Sequence, residues 1–217
     1  MLTQFSAAIF DMDGLILDSE ALAKRAFDTV CKQYGLADLS DVFMQFVGTN
    51  AETGNAVIKN VLDNSIDADV FNQTWRSLYL EWVKDKAVPL KEGVVEVLTY
   101  CQSHHIPMAV ATSSQTALAT HKLNKAGVLD YFDIIIGGDQ VSRSKPQPDI
   151  FLKAAASLSY EPNTCVAFED SPNGVKSALA AGMKVVQIPD LIQPDAALLS
   201  LGHIVLERIS DVIRVSE

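Results

Sequence analysis

The stretch AAIFDMDGLILDSE, residues 7–20, decides how the rest of the chain is read. Ala7 to Phe10 are apolar at every position rather than at alternate ones, the pattern of a strand covered on both faces in a parallel sheet. The apolar run stops at Asp11, a second carboxylate follows at Asp13, and Gly14 permits a sharp turn. Two acids at the end of a buried strand repel one another and lose hydration, so a cation belongs beside them. The C-terminal edge of a parallel sheet is also where open α/β folds seat their ligands. The stretch therefore predicts a divalent-metal site carrying a nucleophilic aspartate. Two plainer readings compete. A calcium loop fails, because it needs an oxygen ligand fifth and Gly sixth, whereas Leu15 stands fifth and Gly14 fourth. An ordinary strand-end turn made by Asp and Gly stays open on these residues alone.

Working outward, 217 residues suffice for a core domain plus a smaller one, and 48% hydrophobic with 20% charged residues is the balance of a globular chain. A formal charge of −10 argues against nucleic acid, whose binding leans on basic patches. A small phosphorylated metabolite stays compatible, because a bound metal and a few lysines reverse the field locally. Cys31, Cys101 and Cys165 follow no metal-ligand spacing and read as free buried thiols. No apolar run approaches the ~20 residues of a membrane span, and no signal-peptide pattern opens the sequence. A cytoplasmic soluble protein without membrane contact is the expectation.

From residue 19 to about 86 the sequence reads as helices. Ser19 is the expected N-cap of the first, where Leu22, Ala26, Phe27, Val30 and Tyr34 recur at helical spacing up to Gly35. A later run carries Phe71, Trp75, Leu78, Tyr79 and Trp82, an aromatic stripe that suits a helix–helix core better than a binding face. Beyond Gly93 helices over residues 94–100, 115–125, 149–158 and 172–181 alternate with strands over 108–111, 133–136, 165–168, 184–188 and 204–206. Ser171, Pro172 and Gly182 punctuate the last of these helices as cap, first residue and stop. Such alternation implies right-handed crossovers and a parallel sheet. An all-helical segment, residues 18–87, thus interrupts an α/β domain made of residues 1–17 and 88–217. It joins that domain beside the expected site, which makes it a candidate lid.

Three later points fall at strand ends on the same edge. Thr112-Ser113-Ser114 precedes a helix, where hydroxyls and free amides hold an anion, though helix capping would use them equally. Lys145 sits in Ser-Lys-Pro-Gln-Pro-Asp, with Pro146 stiffening the chain behind it; alone it would read as a solvated charge. Glu169-Asp170 ends an apolar strand as Asp11 does, and adjacent buried acids favour a metal over a cap. His104-His105, before Pro107 and far from acids or cysteines, read as exposed loop residues. A carboxylate nucleophile, a second carboxylate, a hydroxyl, a cation and an acid pair suit phosphoryl transfer, where positioning and charge neutralisation do most of the work.

In this order the residues resemble the four motifs of a haloacid dehalogenase superfamily hydrolase, and the resemblance covers nearly the whole chain. Asp-Met-Asp-Gly is similar to the first motif, Thr112 to the second, Lys145 to the third and Glu169-Asp170 to the fourth. The helical insertion is similar to the cap of the β-phosphoglucomutase-like branch. The fold so implied is α/β, a Rossmann-like three-layer parallel-sheet core with an inserted all-helical cap. The implied roles follow residue by residue. Asp11 attacks phosphorus to form an aspartyl-phosphate, and Asp13 protonates the leaving alkoxide, then takes a proton from the attacking water. Mg2+ bridges Asp11, the phosphate and Asp170, with the Asp13 carbonyl and Glu169 completing its oxygen shell. Thr112, the Ser113 amide and Lys145 hold the phosphate oxygens.

Dehalogenases of this superfamily displace a halide without a proton and lack both the metal and an acid at the place of Asp13, so phosphate esters are favoured. The implied activity is a Mg2+-dependent phosphatase acting on a small phosphomonoester, sugar phosphates among the candidates. A sugar phosphomutase remains the alternative. Mutases of the branch carry a catalytic histidine where this chain has Ala23, and an arginine in a loop that here reads Val47-Gly48-Thr49-Asn50-Ala51. A phosphate-sensing module, which also joins aspartate, hydroxyl and lysine, orders them differently and leaves the helical insertion without a purpose. Ser19, Glu20, Thr49, Asn50 and Arg76 are the candidates to contact the leaving group from the cap side.

Overall fold

Four-residue strands such as Ala-Ala-Ile-Phe bury every side chain, so they need neighbours on both edges and cover on both faces. The computed structural model describes residues 4–45, 47, 51–63 and 65–214, which include Ser19, Glu20 and Arg76; Thr49 and Asn50 lie outside the described residues. Strand β1 (Ala7–Phe10) is followed by helices α1 (Ser19–Gln33), α2 (Ser40–Met44), α3 (Ala51–Val61) and α4 (Ala68–Asp85). Helix α5 (Val94–Ser103) then leads into β2 (Met108–Ala111), α6 (Thr116–Lys125), β3 (Ile134–Ile136), α7 (Asp149–Leu158) and β4 (Cys165–Glu169). Helix α8 (Pro172–Ala180), β5 (Lys184–Gln187), α9 (Ala196–Leu199), β6 (Ile204–Val205) and α10 (Asp211–Arg214) complete the described elements.

The strands form one sheet in the order β3-β2-β1-β4-β5-β6, and every pairing is parallel. Side-chain alternation divides the core into two layers. Ala8, Phe10, Met108, Val110, Val166 and Phe168 join one face, which α5 covers with Val94, Val97 and Leu98 and α6 with Ala119 and Leu123. Ala7, Ile9, Ala109, Ala111, Cys165 and Ala167 join the other, covered by Ile150, Phe151 and Ala154 of α7 and Val175 and Ala178 of α8. The alanines on that second face leave room for α7 to lie close against the sheet. This is a Rossmann-like α/β core.

Helices α1, α2, α3 and α4 share an apolar cluster of their own, with Phe27, Val30, Phe43, Ile58, Phe71 and Trp75 at its centre. Two chain crossings tie them to the sheet, and they pair with each other. Leu17 bridges Leu90, Asp18 N donates to Pro89 O at 2.8 Å, and Lys91 N donates to Ile16 O at 2.9 Å.

Local expectations coincide with the observed elements to within a few residues at their ends, and two of the differences have a visible cause. Asp133 stands just outside β3, where its carboxylate accepts a hydrogen bond from Met108 N at 3.0 Å. Ser19 is not the cap of α1: Asp18 holds that place without a side-chain bond, and Ser19 is the first helical residue. Its hydroxyl donates to Asp13 Oδ1 at 2.7 Å. A hydroxyl given a carboxylate acceptor makes a charge-assisted bond, stronger than the neutral cap it forgoes.

Candidate functional site

Strand order reverses direction between β1 and β4, and at such a point the crevice beyond the strand ends is open to a ligand. Three chain segments leave the sheet here: Asp11 after β1, Thr112 after β2, and Glu169 with Asp170 at the end of β4. The loop carrying Lys145 closes over them. Its ammonium donates to Asp11 Oδ1 at 2.5 Å, Glu169 Oε1 at 2.6 Å and Ala111 O at 3.0 Å, which uses all three protons. A lysine whose side chain is only 3% exposed is thus not a solvated loop charge.

Carboxylate oxygens of Asp11, Glu169 and Asp170 lie within 4.8 Å of one another. Glu169 is well satisfied, since Oε2 accepts from Asp170 N, Ser171 N and Ser171 Oγ, each at 3.0 Å. Helix α8 begins directly on it, with Ser171 as N-cap and Gly174 one turn in; a Cβ at Gly174 would overlap the Glu169 carboxylate. Asp170 differs: no donor to its carboxylate is found among the described residues. Burial, with Glu169 and Asp11 alongside, pushes its pKa well above the usual carboxylate value. Burial likewise lifts Asp11 to about 7, against the pull of Lys145. Buried acids lacking protons or donors need a cation, so this trio fits an oxygen-liganded divalent ion.

The Asp13 carboxylate points elsewhere, into a separate set of donors. Oδ1 accepts from Ser19 Oγ and from Lys122 Nζ, and Oδ2 from Ser114 Oγ at 2.7 Å. Burial acts to raise its pKa, but Lys122 and the two hydroxyls outweigh burial and hold it below the usual value. Lys122 lies on α6, 1% exposed, and also donates to Tyr79 Oη of α4 at 2.9 Å. Thr112 is buried, and its Oγ1 accepts from Ser114 N at 3.1 Å, while the first N–H of α6, at Thr116, is accepted by Asp139 Oδ1 at 2.7 Å. The hydroxyl run is therefore not spent on capping.

Asp11, Asp13 and residues 112–115 form one side of a cavity of about 500 Å³. The opposite wall comes from α1, α2 and α4, with Ser19, Glu20, Ala23, Phe43, Trp75, Arg76 and Tyr79 among its lining residues. Burial, with Asp13 and Asp190 nearby, raises the Glu20 carboxyl to about 8. The Arg76 guanidinium stands over the Trp75 ring, 5.3 Å from its centroid. His104 and His105 are exposed and remote from this cavity.

Sequence reasoning passed over Lys122, Tyr79 and Asp190. A signal existed for each. Lys122 falls between Ala119 and Leu123 on the apolar face of a helix, a place where lysine rarely stands unless paired. Tyr79 belongs to a stripe whose Phe71 and Trp75 enter the helical core, whereas its own hydroxyl turns to Lys122. Asp190 lies just beyond β5, at the same edge of the sheet as Asp11 and Asp170.

Comparison with known proteins gives this geometry its class. The sequence model of the haloacid dehalogenase-like hydrolase family matches residues 8–188, and the chain belongs to that family. Its similarities include phosphatases and β-phosphoglucomutase-like proteins. The phosphorylated carbohydrates phosphatase of Thermotoga maritima is 29% identical over 214 residues, covering 96% of this chain and 97% of its own. The fructose-1-phosphate phosphatase of Escherichia coli is 31% identical over 188 residues, covering 87% and 98%. A crystal structure of a family hydrolase from Deinococcus radiodurans, with bound phosphate and sodium, matches with a TM-score of 0.79 at 28% identity over 99% of this chain and 95% of that one. The protein is an enzyme of the phosphatase class. None of its described helices is long and apolar enough to cross a membrane.

Proposed function

We propose that the protein is a Mg2+-dependent phosphatase of small phosphomonoesters, sugar phosphates above all, working through an aspartyl-phosphate on Asp11. The observation that carries this reading is the trio of buried carboxylates, two of them joined by Lys145, whose Asp11 lines a cavity also walled by Asp13. Asp11 and Asp170 would hold the ion, with Glu169 and the Asp13 carbonyl as further oxygen donors. When bound, Mg2+ supplies charge neutralisation and orientation for the phosphoryl group.

The chain's own residues do the rest. Asp11 displaces the alkoxide from phosphorus, forming an acyl-phosphate bond as the P–O ester bond breaks. Asp13, ionised in the free protein, takes up a proton beside the negative charge of the bound phosphate, gives it to the leaving alkoxide, and later recovers one from the water that cleaves the acyl phosphate, returning free phosphate and Asp11. Donors from Ser19, Ser114 and Lys122 fix the Asp13 carboxylate beside the cavity for both transfers. Lys145 has no free N–H in this arrangement, so it offers the phosphate its charge and holds Asp11 in line. Thr112 and the Ser113 amide face the developing oxyanions.

Hydrolysis is favoured over mutase chemistry because Ala23, in the cavity wall, carries no proton donor where a mutase needs one. Glu20 and Arg76 stand among largely apolar neighbours and would read hydroxyls of the leaving group. Relatives named for phosphorylated carbohydrates, fructose 1-phosphate and hexitol phosphates point to the same substrate class. The helical segment, residues 18–87, would act as the cap that closes the cavity. The test is phosphate release from a panel of sugar phosphates with and without Mg2+. Wild type should release phosphate only with the ion, and Asp11→Asn should release none. Interconversion of hexose 1- and 6-phosphates without phosphate release would replace this reading by the mutase.

A further inference from the structure

Beyond β5 the chain passes Ile188 and Pro189 to Asp190, whose carboxylate is split between two situations. Oδ1 accepts from Lys91 Nζ at 2.6 Å, in the return crossing between the helical segment and the sheet. Oδ2 is buried and has no hydrogen-bond partner among the described residues. A buried anionic oxygen without a donor is costly, and native proteins rarely keep one without a use.

Its surroundings say what that use is. Gly14 has φ +88, and a Cβ there would collide with Asp170 Oδ2 and come within 3.4 Å of Asp190 Oδ2. Two carboxylate oxygens, one from the end of β4 and one from beyond β5, thus border the same small space over a residue without a side chain. Two like charges facing one space repel unless something positive or hydrogen-bond donating stands between them. Asp170 belongs to the carboxylate trio; Asp190 does not. Lys91 neutralises only the far oxygen of Asp190, holding the other at the edge of the trio.

We propose that Asp190 is an outer-sphere anchor of the divalent-cation site, its Oδ2 accepting a hydrogen bond from water bound to the ion that Asp11 and Asp170 hold. Lys91 is the strut that orients it. The inference rests on the cation reading above and adds to it a positioning residue and the chain crossing that supports it. Outer partners of this kind typically set metal affinity within a factor of about 10–100.

Mg2+ titration calorimetry on the full chain without substrate tests this, with wild type, Asp170→Asn and Asp190→Asn compared at one pH. Wild type should bind, Asp170→Asn should lose binding, and Asp190→Asn should bind about tenfold more weakly or worse. The melting temperature of metal-free Asp190→Asn should not fall, and excess Mg2+ should restore its phosphatase turnover. Unchanged Mg2+ affinity in Asp190→Asn would overturn the proposal. So would weaker affinity accompanied by an equal loss of metal-free stability that excess Mg2+ does not repair. Should Asp190→Asn not fold, Asp190→Ser is read by the same criteria. A wild type that binds no Mg2+ would overturn the cation reading itself, and the anchor with it.

Discussion

Lys145 pairs one ammonium, 3% exposed, with two carboxylates, Asp11 and Glu169. Removing it leaves two buried carboxylates without the cation they share. Lys145→Met should lower the unfolding free energy by roughly 3–5 kcal/mol, the cost of stripping the partner from buried ions, as read by urea titration without metal. Mg2+ should return part of that loss by supplying positive charge to the same oxygens. A variant as stable as wild type would show that the lysine is not what neutralises the pair. Nothing local to Ser-Lys-Pro-Gln-Pro-Asp marks this lysine as buried; only its place in an ordered set of strand-end residues did.

At the scale of elements, the join between α6 and α4 matters most. Lys122 on the sheet-covering helix reaches Asp13, and Tyr79 on the helix across the cavity reaches Lys122. Lys122→Met should reduce kcat for alkyl phosphates by about 100-fold, the low end of what general acid–base help contributes, with KM nearly unchanged. Turnover of p-nitrophenyl phosphate, whose leaving group needs no proton, should fall less. Equal losses on both substrates would mean that Lys122 does not act through proton transfer. Tyr79→Phe deletes a single hydrogen bond of about 1 kcal/mol and should cost about fivefold. Helix positions and lengths were legible from periodicity. That α6 turns a lysine inward leaves only a faint mark, one charged residue on an otherwise apolar face.

For the molecule as a whole, several carboxyls titrate above their ordinary range in the metal-free protein: Asp11 at about 7, Glu20 at about 8, and Asp170 raised by burial among acids. In the unfolded chain such groups ionise near about pH 4. Between about pH 4 and 8 the folded protein therefore holds protons that the unfolded chain has released, and stability falls as pH rises. Asp13 works in the opposite sense, but only below about pH 4, where its carboxylate takes up a proton. The melting temperature without metal should decline from pH 5 to pH 8, and the upshift caused by Mg2+ should grow over the same span. A metal-free melting temperature that climbs through that window would contradict the charge arrangement described here.

Residues 7–14 alone determined a buried strand ending in two acids and a turn, and the order of Thr112, Lys145 and Glu169-Asp170 along the chain pointed to the class of chemistry. Such features are local: the period of apolar residues and the identity of the residue where it breaks are written in consecutive positions. Tertiary structure alone decided which groups answer those acids. Asp13 meets Lys122 across 109 positions, and Lys91 meets Asp190 across 99. Ser19 gives up a cap to serve Asp13. Burial and charge balance are set by what the folded chain brings from far away, and no spacing along the sequence encodes that distance.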